Sequence, residues 1–118
     1  MARVVAWIPD LLFGSNVVGA LSASGHEVQL TPEPPGSTEL ADADVLIVDL
    51  TADAAERLEA LPEQRPPALA FYAHVEQDVR ELAERAGLEL VVPRSRFARE
   101  GAALVQRLAG ASPPGAAR

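Results

Sequence analysis

At 118 residues, with 48% apolar side chains and no cysteine, the chain is long enough for one hydrophobic core and too short for a second, and it has neither disulfides nor thiolate metal sites. Its net charge of −7 sets 17 acidic residues against 10 basic ones, all of them arginine and scattered along the chain. That argues against a nucleic-acid partner, because neutralising phosphates needs clustered cations.

The apolar runs fall well short of the about 18 residues that cross a bilayer, and Pro9 and Asp10 interrupt the first run before it resembles an export signal. A soluble, cytoplasmic protein with no membrane partner is expected. VVAWI (4–8) predicts a first strand, with Trp7 in the core. A helix follows, with Phe13, Val17, Val18 and Leu21 on one face and Gly25 as its stop, and His26 is expected in a surface turn. Glu27 to Leu30 reads as a short second strand, and TPEPPGS (31–37) as a proline-rich loop. Few residues then remain before VLIVDL (45–50), so the second helix must be a turn or two around Thr38 to Ala41, or be missing.

Thr51 is expected to cap a third helix in which Asp53 and Arg57 stand at i, i+4. ALAFYA (68–73) is a fourth strand, in which Phe71 and Tyr72 must point to opposite faces. In VEQDVRELAERAG, Val75, Val79, Leu82 and Ala86 are expected to face inward, while Glu76/Arg80 and Glu81/Arg85 pair outward. LELVV (88–92) is a fifth strand, and a last helix carrying Phe97, Leu104, Val105 and Leu108 runs into GASPPGAAR. The domain is therefore placed at 1–109, with 110–118 as a tail of disordered composition.

Strands alternating with helices predict a single-domain α/β fold, a doubly wound five-stranded parallel sheet in order 2-1-3-4-5. In such sheets the functional crevice lies beyond the C-terminal strand ends. There the chain would place Pro9 and Asp10, Asp49 and Thr51, Ala73 and His74, then Pro93, Arg94 and Ser95.

The order of elements and the sequence ADVLIVDL resemble the receiver domain of bacterial response regulators, a flavodoxin-like fold, over about residues 3 to 109. More narrowly, PDLLFGS, DVLIVDL, FYAHV and VVPRSRF resemble a group of stand-alone, receiver-like bacterial proteins. The resemblance implies that Asp49 is the equivalent of a phospho-acceptor, next to an acid pair that holds Mg²⁺, a hydroxyl ending the fourth strand and a lysine ending the fifth.

The chain departs from that pattern at three positions. Pro9 replaces one acid, Ala73 replaces the hydroxyl residue, and Val92-Pro93 replaces lysine-proline in a chain without lysine. Arg94 is the cation left to pair with Asp49, and its planar fork does not reproduce a compact ammonium. Asp10, ahead of a helix, reads first as an N-cap. Neither a His74/carboxylate metal site nor a phosphate loop in FGSNVVG has the spacing of the known motifs, so no cofactor or metal is expected.

No nucleophile is visibly paired with a base, and a non-enzymatic pseudo-receiver is expected, acting through a protein partner or as a homodimer. The resemblance places its interaction surface on the fourth helix, fifth strand and fifth helix, where Arg80, Arg96, Phe97 and Arg99 lie. Two alternatives stand beside it. One is a crevice in which Arg94, Ser95 and helix N-termini bind an anion or small molecule. The other is a true phospho-accepting receiver at Asp49.

Overall fold

Five parallel strands stand in the order β2-β1-β3-β4-β5 in the computed structural model, which describes residues 2–73 and 77–110. The elements alternate along the chain as β1 (Arg3–Trp7), α1 (Leu11–Ala23), β2 (Glu27–Thr31), α2 (Ser37–Leu40) and β3 (Val45–Asp49), followed by α3 (Ala54–Glu59), β4 (Ala68–Tyr72), α4 (Gln77–Arg85), β5 (Leu90–Pro93) and α5 (Arg94–Gly110). This is the expected flavodoxin-like fold, with the second helix reduced to one turn. No helix among the described residues is long and apolar enough to cross a membrane.

The inner strands are nearly continuous apolar runs because both sheet faces are covered, whereas the edge strand β2, EVQLT, alternates. β3 and β4 are buried at every position. Alternate side chains divide the core into two layers. Val4, Ala6, Ile8, Ile47, Leu69 and Phe71 pack under α1 and α5. Val5, Trp7, Leu46, Val48, Ala70 and Tyr72 pack with Leu40 of α2 and with Val79 and Ala83 of α4. Phe71 and Tyr72 thus point to opposite faces, as strand geometry requires.

α1 approaches β2 so closely that a Cβ at Gly14 would lie 2.8 Å from Leu30 Cδ1, and the Leu30 side chain would have to shift to admit it. Gly25, at φ 90°, ends α1 in a conformation that β-carbon residues rarely adopt.

Two local expectations are corrected. His26 is buried, and its Nδ1 accepts the Ala2 backbone N–H at 3.1 Å, anchoring the start of β1. In α4 the inward residues are Val79 and Ala83, while Leu82 and Ala86 are exposed, because the helix is rotated so that its smallest side chain meets the sheet. α5 begins directly at Arg94 and runs through Gly110, the last described residue. Arg85 pairs with Glu81 at 4.0 Å and Arg80 with Glu84 at 3.4 Å, on the outer face. Val75, Glu76, His74 and the tail from residue 111 lie outside the described residues.

Candidate functional site at the strand ends

β3 carries Asp49 to its C-terminal end with only 5% of its surface exposed. A carboxylate so enclosed needs hydrogen-bond partners. The chain supplies them locally: Asp49 Oδ1 accepts the Thr51 backbone N–H at 2.8 Å and the Thr51 hydroxyl at 2.5 Å. This is the turn in which an aspartate bonds the backbone two residues on. Thr51 is therefore used by Asp49 and does not cap α3. That helix starts at Ala54 after Asp53, which takes a left-handed conformation (φ 49°) and makes no side-chain capping bond.

The cation beside Asp49 is Arg57, from the middle of α3. Helical side chains lean toward the N-terminus, which brings this guanidinium back over the β3 end. Its Nη1 donates to the Asp49 carbonyl oxygen at 2.7 Å and lies 3.7 Å from Oδ1. Both side chains are largely enclosed. The expected Asp53–Arg57 pair does not form among the described residues. The sequence contained a usable signal for Arg57, namely a cation four residues into the helix that follows the strand-end acid.

Arg94, the cation that chain order offers to Asp49, lies elsewhere. Its guanidinium carbon sits 4.2 Å from the centroid of the Phe13 ring, a cation–π contact. Phe13 leans on Phe71 and Phe97 at 5.3 and 6.2 Å, and Phe71 stacks on Phe97 at 4.7 Å. Arg94 therefore closes an aromatic cluster between the starts of α1 and α5. No Arg94–Asp49 ion pair occurs among the described residues. Ser95 is exposed in the first turn of α5, and Ala73 is half-buried at the end of β4. His74 cannot be placed on the rim, being outside the described residues.

Asp10 is the N-cap of α1, its Oδ1 accepting the N–H groups of Leu12 and Phe13 at 3.0 and 3.1 Å. A Mg²⁺ ion of the kind a receiver acid pair holds does not fit this donor set. Pro9 offers no carboxylate, Asp10 and Asp49 each commit an oxygen to backbone N–H groups, and no group of three or more His, Cys, Asp and Glu suited to a metal exists among the described residues.

The expected interaction surface also changes. Phe97 is 2% exposed and belongs to the core, because the α5 face that carries it meets the sheet. Arg96 and Arg99 remain at the surface, where both contact Glu100 at 3.6 Å. Arg80 is likewise at the surface, paired with Glu84 at 3.4 Å, so each of these three arginines has a glutamate beside it on its own helix.

Several solved structures share the architecture. The response regulator receiver protein of Burkholderia phymatum superposes with a TM-score of 0.75 at 19% identity, over 97% of this chain and 99% of that one. A response regulator from Thermotoga maritima gives 0.75 at 18%, over 93% and 98%. The non-phosphorylated HemR receiver domain from Leptospira biflexa gives 0.70 at 16%, over 97% and 98%. No protein-family model and no curated protein sequence matches the chain. At these identities the likeness extends to the fold, which is that of a receiver domain.

Proposed function

We propose that this chain is a receiver-scaffold signalling module that acts by presenting a protein-binding surface, with Asp49 retained as an ion-pair partner and not cycled through a phosphorylated state. The observation that carries the reading is the engagement of Asp49 Oδ1 by Thr51 and Arg57. Arg57 stands where it neutralises the resting carboxylate. A receiver's lysine comes instead from the end of the fifth strand, and here that end is occupied by Pro93 and an Arg94 turned onto Phe13.

Phosphoryl transfer depends on cations arranged around the developing charge. With one acid replaced by Pro9 and the hydroxyl position by Ala73, this rim lacks most of that arrangement. Neither the donor set nor a visible nucleophile–base pair favours an enzyme, and the likeness to receivers favours a cytoplasmic signalling role through protein contacts.

The test is intact-mass spectrometry of the chain incubated with Mg²⁺ and a small-molecule phosphodonor. No added phosphoryl group is expected. Stoichiometric addition of one phosphoryl group, abolished by Asp49→Asn, would make Asp49 a working acceptor and overturn the reading.

A further inference from the structure

α1 is unlike the other surface helices of this acidic protein. Its sequence, LLFGSNVVGALSA, contains no charged residue over 13 positions. Only one side of it is buried, through Gly14, Val17 and Leu21, while Leu11 and Leu12 are 61% and 78% exposed. A helix that is apolar nearly all round is normally covered on more than one side. By contrast, the outer face of α4 carries Asp78, Arg80, Glu81, Glu84 and Arg85.

We propose that α1 is the contact by which two copies of this chain form a twofold dimer, the two α1 helices packing antiparallel with Asn16 on the axis. This rests on the reading of the protein as an interaction module and names the surface and partner for it.

The pattern of α1 is self-complementary. Leu12, Asn16, Gly19, Ala20 and Ala23 fall on one exposed flank by helical spacing. That flank is large at its N-terminal end and small at its C-terminal end. A twofold axis at Asn16 sets Leu12 of one copy over Gly19, Ala20 and Ala23 of the other, and repeats the contact in reverse. Gly19 is exposed with open space around its Cβ position, so a second helix can approach the backbone there. The Asn16 amide, both donor and acceptor, can pair with its own symmetry mate. The flank borders a groove of about 340 Å³ between α1 and α5, whose far wall is formed by Phe97, Ala98, Arg99, Gly101 and Ala102.

Charge permits the same partner at this helix. Two chains of net charge −7 repel at a distance, and an uncharged helix is a face on which they can meet. The last turn of α1 lacks a basic residue to complement its carbonyl ends. In the antiparallel arrangement that end lies beside the start of the other copy's α1, where Arg94 is held over Phe13. A cation at a helix C-terminus is favourable.

The test uses the whole chain, whose lack of cysteine makes one introduced thiol unambiguous. Sedimentation equilibrium from a few to several hundred micromolar should show a monomer–dimer equilibrium, weakened by about tenfold or more in Leu12→Glu. Under mild oxidation Asn16→Cys should cross-link two copies efficiently, since residues on the axis can approach the about 4.4–6.8 Å Cα separation a disulfide needs. Glu81→Cys, on α4, should not. A monomer at every concentration overturns the proposal, as does a dimer insensitive to Leu12→Glu that cross-links as well through Glu81→Cys. Either outcome would leave the phosphodonor experiment to judge the Asp49 reading separately.

Discussion

Arg57 holds Asp49 by two atoms at once, donating to its carbonyl oxygen at 2.7 Å and standing 3.7 Å from its carboxylate. The contact ties the first turns of α3 to the end of β3 across a loop in which Asp53 occupies a left-handed conformation, a strained state for a residue other than glycine.

Arg57→Ala should therefore destabilise the fold by about 1.5–3 kcal/mol, the range for a hydrogen bond involving a charged group. A urea titration should show a lower midpoint with an unchanged slope. Arg57→Lys should fall between, because an ammonium keeps the charge on a side chain of different length and geometry. The double mutant with Asp49→Asn should be non-additive by at least about 0.5 kcal/mol. Additive losses would mean that the two side chains do not act as a pair.

Phe97 was expected at an interface, and its burial gives it a different mutational signature. Phe97→Ala opens the stack with Phe71 and Phe13 and should cost about 3–5 kcal/mol, and Phe97→Asp should prevent folding. Circular dichroism and thermal melts check this. A well-folded Phe97→Asp protein would contradict the core placement.

The contrast between Phe97 and β3 marks what the sequence could reveal. VLIVDL announced a buried strand because every residue in it is apolar up to the acid, and the short distance from Leu30 to Val45 foretold the one-turn α2. The N-cap role of Asp10 was equally local. Side-chain partners across the crevice were not legible in this way. Arg94 and Arg57 are both within reach of a strand-end acid by chain order, and the choice between them depends on helix rotation and on Phe13 offering a ring to Arg94. His26 looked like a turn residue because it follows Gly25. It is buried, and its partner there is the Ala2 N–H, 24 residues away in sequence.

Two glycines of α1 should respond oppositely to alanine. Replacing a helical glycine by alanine gains up to about 1 kcal/mol in propensity. At Gly19, with nothing within 4 Å of the new Cβ, that gain should be kept in the dilute monomer. At Gly14 the new methyl would meet Leu30 Cδ1 at 2.8 Å, and overpacking costs of about 1–3 kcal/mol should cancel or reverse it. Denaturant midpoints compare the two. A stabilised Gly14→Ala protein would show that Leu30 moves aside freely.

Trp7 is the chain's single tryptophan, so its fluorescence reports on one place in the sheet. The ring is 3% exposed, and its Nε1 is buried without a hydrogen-bond partner among the described residues. An indole in such surroundings should emit at the blue end of the tryptophan range and resist quenching by acrylamide, with a red shift on unfolding. Substitution divides the two contributions of the side chain. Trp7→Ala removes the whole ring and should cost about 3–5 kcal/mol. Trp7→Phe keeps much of the apolar volume and eliminates a donor whose unpaired burial costs about 1–3 kcal/mol, so relief of that penalty should offset much of the lost packing. A Phe variant as unstable as the Ala variant would mean that the N–H has a partner in solution, and red-shifted, readily quenched native emission would place the ring in water.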